Sequence, residues 1–301
     1  MDLSVSGYIQ YLKNSGKMGS ARNYRFSISA FERWLLPFGK DIDTFSINDV
    51  NMYISGMKSP KSANLFRSAL IGYMKYRAGS LPLGDPMAVI EFQKVSQIGL
   101  VVGRRMEREI KKTSLTPTEV NILLDKIKKN FGEPIYSFAM FYAYFGARPG
   151  EVEGFYIGNR LYSLANAKID WKNRKMIIMT EKTHSERMLF WNYKMDKYIH
   201  TVLESLPVPY PARYFTMHMY RWQSKGKNRI GGIATTAKTF RRTFQTNQRL
   251  LGQPDILIDH ELGHISKTSS IGDVYTDFSQ FEPQLREMMD KNHYMVIHGI
   301  L

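Results

Sequence analysis

The sequence predicts a mainly α-helical protein with one small antiparallel β-sheet, built as an all-helical amino-terminal unit followed by a second unit that combines helices with the sheet. Three observations carry this. Apolar residues recur at helical spacing behind recognisable amino-terminal caps along most of the chain. The pattern changes to short apolar stretches only between Lys168 and Trp191, and a cluster of turn formers followed by a basic stretch separates the two parts. With 301 residues, 43% apolar and 13% aromatic, the chain is long enough for two cores.

In the first unit, residues 1–95, Tyr24, Ile28, Phe31, Leu35 and Phe38 fall on one stripe of a helix that should end near Gly39. Ser46 and Asp49 are spaced as a capping box ahead of Ile47, Val50 and Ile54. Ser59 and Pro60 supply a cap and a first-turn proline ahead of Phe66, Leu70 and Tyr73. The segment from Gly79 to Pro86 concentrates turn formers. Residues 96–113 then read as a basic linker, because Arg104, Arg105, Arg108, Lys111 and Lys112 surround only Glu107 and Glu109.

The second unit, residues 114–285, opens on another capping box, Thr116-Pro-Thr-Glu119, with Val120, Leu123, Leu124 and Ile127 at helical spacing. The run Tyr136 to Phe145 is apolar around most of a helix's circumference, so it is expected to be the central buried helix, stopping at Gly146-Ala-Arg-Pro-Gly150. Met176 to Met179 and Met188 to Trp191 are expected as strands. Helical character returns from Thr235 to Leu251 and again from Asp255 to Gly263. The tail, residues 286–301, continues an amphipathic pattern through Leu285, Met288, Met289 and Tyr294. It could dock on a neighbouring protomer or on its own domain.

Lys and Arg number 42 against 27 Asp and Glu, a formal charge of +15, so polyanionic partners are expected. The absence of cysteine excludes disulfides, thiolate catalysis and cysteine-ligated metal sites. The amino terminus lacks the pattern of a secretion signal, and the longest apolar run, Tyr136 to Ala147, is too short for a membrane span; neither secretion nor a membrane location is expected.

Several residues could carry chemistry. Arg148 leaves a buried helix in a tight turn, where Glu151 could orient its guanidinium. Lys182 sits near a hairpin tip. Lys238 and Arg241 share a helix face, where two cations repel unless an anion lies between them. His264 follows a helix stop and Tyr275 lies eleven residues later. Lys225, Lys227 and Arg229 form a basic loop. Taken singly, each also fits a structural or solvated role.

Taken in order, Arg148 and Glu151, Lys182 to Arg187, Phe240-Arg-Arg-Thr-Phe244, Leu262-Gly-His264 and Tyr275-Thr-Asp277 resemble the boxes of the tyrosine recombinases, the phage-type integrases. The specific resemblance covers residues 114–280, and the amino-terminal bundle resembles that family's core-binding domain in a generic way. The family commonly has histidine where this chain has Lys238, a substitution that resembles archaeal virus and plasmid integrases. The interval from His264 to Tyr275 is longer than usual, and Tyr294, preceded by His293, is the alternative nucleophile.

The resemblance implies a core-binding bundle joined to an α+β catalytic domain. It implies that Tyr275 attacks a scissile phosphate to form a 3′-phosphotyrosyl link while Arg148 and Arg241 clamp the nonbridging oxygens. Lys182 would protonate the leaving 5′ oxygen, Lys238 and His264 would add hydrogen bonds to the phosphate, and Glu151 would support Arg148. An unperturbed tyrosine titrates near pH 10, so neighbouring cations would also have to activate it. Neither metal, ATP nor another cofactor is implied. The implied partner is duplex DNA, held by both units, the linker cations and the basic loop, with self-assembly as a tetramer on the DNA. The implied setting is a mobile genetic element and a cytoplasmic, nucleoid-associated protein. A type IB topoisomerase and a catalytically silent DNA-binding protein of the same fold remain the other readings.

Overall fold

The computed structural model of the chain describes residues 2–82, 84–100, 112–264 and 281–301. The chain divides into two compact units, Met1–Glu109 and Ile110–Leu301.

The first unit is a helical bundle of α1 (Val5–Asn14), α2 (Met18–Leu35), α3 (Ile47–Ser55), α4 (Pro60–Ser80) and α5 (Pro86–Leu100). The expected stripe of α2 buries Ile28, Phe31 and Leu35 completely, whereas Phe38 lies beyond the helix in a short 3-10 turn and is half exposed. Gly39 ends that turn in the left-handed conformation that a side chain would resist (φ 64°). The capping box at Ser46 forms, with the Asp49 carboxylate accepting from the Ser46 backbone at 2.7 Å and from the Lys40 ammonium at 2.8 Å. Phe31 packs against Phe66, Phe45 and Tyr53 at the centre of the bundle. Complete burial of each such ring contributes about 1.5–3 kcal/mol.

The linker expected to start at residue 96 does not start there. Val95 and Ile98 lie three apart on the inward side of α5, which packs on α4, so residues 96–100 belong to the bundle. Arg104, Arg105, Arg108 and Lys111 lie outside the described residues. Lys112, the remaining basic residue of that stretch, is ion-paired with Glu119.

The second unit is built around α7 (Glu133–Phe145), in which every residue from Ile135 to Phe145 is buried. Packed on it are α6 (Pro117–Phe131), capped as expected by Thr116 and Glu119, and α11 (Ala237–Leu250), whose Phe240 and Phe244 are fully buried. After α8 (Pro149–Glu153) comes a two-stranded ribbon of β1 (Phe155–Ile157) and β2 (Arg160–Tyr162), which the sequence pattern did not reveal. The expected sheet follows as β3 (Lys168–Asp170), β4 (Lys175–Met179) and β5 (Glu186–Phe190), in the order β3-β4-β5 with both pairings antiparallel. Register pairs Met176 with Leu189 and Ile178 with Arg187, and these four side chains point inward.

Two helices, α9 (Asp196–Glu204) and α10 (Tyr214–Trp222), lie between the sheet and α11 and were also not anticipated. The buried Glu153 carboxylate starts α10 by accepting from the backbone N–H groups of Tyr214 (2.9 Å) and Phe215 (3.1 Å), and it accepts the Tyr142 hydroxyl at 2.7 Å. After α12 (Asp255–Leu262), the chain closes with α13 (Glu282–Asp290) and α14 (Tyr294–Ile297).

The carboxy-terminal segment is part of its own unit's core. Leu285, Met288, Met289, Tyr294 and Met295 are buried with the residues of α7 and α11, and α13 spans the boundary expected at residue 286. The apolar pattern that suggested docking on a neighbour is used up within the chain. Among the described residues, no helix is long and apolar enough to cross a membrane.

Candidate anion-binding active site

Gly146 turns the chain out of α7 in a left-handed conformation (φ 58°), with no room for a side chain: a Cβ there would stand 2.9 Å from Leu262 and 3.2 Å from Phe244. Two residues later Arg148 stands at the head of α8. The Glu151 carboxylate accepts from its backbone N–H at 2.9 Å and from its guanidinium at 2.8 Å, so Glu151 orients Arg148 as the sequence suggested. The same guanidinium lies 3.5 Å from the carbonyls of Leu262 and Gly263.

Arg241 arrives from α11. It donates to the Gly146 carbonyl at 2.8 Å, to the Leu262 carbonyl at 2.5 Å and to His264 Nε2 at 2.9 Å. Arg148, Arg241 and His264 therefore meet at one turn, Leu262-Gly263-His264, although they come from three separate parts of the chain. Gly263 is left-handed (φ 60°), and His264 Nδ1 lies 3.1 Å from the Asp259 carboxylate.

Sequence reading missed Arg187. It lies in the inward register of β5, is 6% exposed, and donates to the second Glu151 oxygen at 2.7 Å and to the Glu261 carbonyl. Its signal was present: a charged residue two positions from Leu189 on the apolar side of a strand requires a buried partner.

The electrostatics favour an anion. Burial, then repulsion from Arg148 and Arg187, holds Arg241 down to about 9. Burial alone would raise the Glu151 carboxyl, but Arg187 and Arg148 keep it below its ordinary value, so it stays ionised. Burial pushes Glu261 up to about 8, with Arg187 only partly offsetting it, so that carboxyl is mainly neutral at neutral pH. Two guanidiniums thus share one fully buried carboxylate, and a third, Arg241, lies within range of their repulsion without a carboxylate of its own in contact among the described residues. A phosphate-sized anion would relieve the remaining repulsion.

Lys182 is exposed in the turn between β4 and β5. That turn rests against the segment that bears Arg148 and against the Leu262–His264 turn. A Cβ on Gly150 would stand 2.6 Å from the Glu181 carboxyl, and one on Gly263 would stand 3.3 Å from the Thr180 methyl. Lys238 is exposed in the first turn of α11, one turn before the half-buried Arg241, and it does not join the described contacts of Arg148, Arg241 and His264. Lys227 and Arg229 are exposed beside the short 3-10 turn Ser224–Gly226; of Lys225 only the backbone is described.

Tyr275 lies outside the described residues. The alternative nucleophile is unsuited to the role. Tyr294 is completely buried, donates its hydroxyl to the Ala143 carbonyl at 2.9 Å, and has its phenol pushed up by burial. His293 is equally buried and donates from Nε2 to the Tyr144 carbonyl, while its Nδ1 accepts from the backbone of Met295. Both hold α14 against α7. Among the described residues, no group of three or more His, Asp and Glu could hold a metal ion.

No protein-family model matches the sequence, and no curated protein matches it either. Two of the solved structures that match this chain are the following. One is a XerA recombinase, at 17% identity over 93% of this chain and 98% of that one, with a TM-score of 0.37. The other is the Tn1549 transposon integrase in complex with transposon right end DNA, at 14% identity over 96% of this chain and 99% of that one, with a TM-score of 0.59. This chain, helical bundle and α+β unit together, has the fold of the Tn1549 integrase.

Proposed function

We propose that this protein is a tyrosine-type site-specific DNA recombinase, an integrase that cleaves and rejoins duplex DNA through a 3′-phosphotyrosyl intermediate. The observation that carries the reading is the meeting of Arg148, Arg241 and His264 at the Leu262–His264 turn, with Arg187 and Glu151 behind them. Metal-free cleavage of a phosphodiester requires such a place, where fixed cations stabilise charge on a pentavalent phosphorus. The shared fold with the Tn1549 integrase and the formal charge of +15 support the same reading.

In this account the Tyr275 phenol loses its proton to water as its oxygen bonds to phosphorus, the bond to the 5′ oxygen breaks, and Lys182 supplies the proton that makes the departing group a hydroxyl. Arg148 and Arg241 hold the nonbridging oxygens, and Lys238 contacts the phosphate from the first turn of α11. Because the phosphotyrosyl link retains the phosphoester, a 5′ hydroxyl from another strand reverses the step. The amino-terminal bundle and the basic loop of Lys225, Lys227 and Arg229 grip the duplex backbone, and protomers assemble as a tetramer on the DNA, where the protein is nucleoid-associated. With Lys238 in the second-arginine box, it is of the kind carried by archaeal viruses and plasmids.

A nicked suicide duplex bearing the target site, incubated with protein and run on a denaturing gel, tests the reading. Wild-type protein is expected to be trapped on DNA and Tyr275→Phe is not. Binding without trapping would instead identify a silent DNA-binding protein, and relaxation of supercoils without strand exchange would identify a topoisomerase.

A further inference from the structure

The role of His264 depends on where its proton sits, and its two neighbours decide this. Arg241 lies 2.9 Å from Nε2, and a guanidinium has donors only. Nε2 must therefore present its lone pair. The hydrogen of the neutral ring then resides on Nδ1, which lies 3.1 Å from the Asp259 carboxylate, an acceptor. The backbone makes this pairing. At the end of α12 the Gly263 N–H donates to the His260 carbonyl (2.9 Å) and the His264 N–H to the Asp259 carbonyl (2.8 Å), the pair of hydrogen bonds of a glycine-terminated helix, which folds His264 back over Asp259.

We propose that Asp259 is a positioning residue that fixes His264 as the Nδ1–H tautomer, so that its Nε2 lone pair receives and holds the Arg241 guanidinium. The inference rests on the proposed function for its catalytic consequence but not for its geometry. A neutral ring held this way accepts a hydrogen bond or a proton at Nε2 and cannot donate one to a phosphate oxygen, unlike the donor role that the sequence resemblance implies. The charged groups facing the ring agree. Burial opposes the imidazolium, Arg241 on α11 and Arg148 at the head of α8 oppose it further, and Asp259 on α12 favours it, with the balance on the neutral side.

The test is the nitrogen NMR spectrum of the imidazoles in the DNA-free full chain, with the His264 signal identified by its loss in His264→Gln. Wild-type protein is expected to show His264 protonated at Nδ1. Asp259→Ala should convert it to the Nε2–H form or a mixture, whereas Asp259→Asn, which keeps a carbonyl acceptor, should retain Nδ1–H. Single-turnover cleavage should fall at least about tenfold in Asp259→Ala, within the range general acid–base groups contribute, with DNA affinity unchanged and activity largely restored in Asp259→Asn. A wild-type Nε2–H ring, or an unchanged tautomer in Asp259→Ala, would overturn the proposal. Absence of cleavage by the wild-type protein would count against the proposed function and leave the tautomer assignment standing.

Discussion

Arg187 on β5 and Glu151 on α8 form a buried ion pair, Nη2 to Oε2 at 2.7 Å, between residues 36 apart in the chain. The other Glu151 oxygen holds Arg148, and another Arg187 nitrogen holds the Glu261 carbonyl at the end of α12. The sheet thereby sets the position of Arg148, and it ties that arginine to the turn carrying His264.

Removing Arg187 leaves the buried Glu151 carboxylate with Arg148 as its remaining cation and takes the donor from the Glu261 carbonyl. Arg187→Met should destabilise the protein by about 3–5 kcal/mol, read as a lower urea midpoint. Arg187→Lys, which keeps the charge but cannot bridge Glu151 and the Glu261 carbonyl together, should lose less stability yet still weaken cleavage.

Stability should depend on pH through Glu261. Its folded value of about 8 lies above its ordinary 4.5, so the folded chain holds the proton more tightly. That contribution is complete below about pH 4.5 and declines as the pH climbs to about 8, at up to about 1.4 kcal/mol per pH unit. Glu153, raised to about 7 by burial, acts in the same direction. His293, held near 3 by burial, acts in the opposite direction and costs stability as the pH falls below about 6.5. Between pH 7 and 8, melting temperatures of the wild type should fall with rising pH, and those of Glu261→Gln should fall much less.

Tyr294→Phe removes one hydroxyl that serves α7 and nothing at the anion site. It should cost about 0.5–1.5 kcal/mol in chemical denaturation, the usual worth of a single hydrogen bond. Covalent trapping should continue in this variant once it is compared at a temperature where it is folded.

Gly263→Ala should be worse than its size suggests. Its left-handed backbone costs an alanine roughly 1–2 kcal/mol, and the added carbon would lie 3.2 Å from the Arg187 side chain. A circular dichroism melt should register the loss, and cleavage should drop further than stability because the turn holds both Arg241 and His264.

Local rules made much of the fold legible. The capping boxes at Ser46 and Thr116, the glycine stops at Gly146 and Gly263, and the apolar run of α7 depend on neighbours in the chain, and each appears where the sequence places it. The β1–β2 ribbon was not legible, since three-residue strands are too short to show a period. The tail's place was left open between a neighbour and its own domain because an amphipathic stripe specifies that a face is covered, not what covers it; the structure shows the second. At the site, Arg148, Glu151, Arg241 and His264 were readable as types in an order, and the structure gathers them at one turn. Arg187 and Asp259 were not singled out, yet each left a trace: a charge in an inward strand register, and an acid four residues before the glycine that caps its helix.

The most direct measurement is identification of the residue that carries DNA. Protein trapped on a suicide substrate, digested and sequenced by mass spectrometry, should yield one nucleotide-bearing peptide, with the adduct on Tyr275, and Arg148→Ala or Arg241→Ala should abolish it. An adduct on any other residue, or one that survives loss of both arginines, would contradict the account.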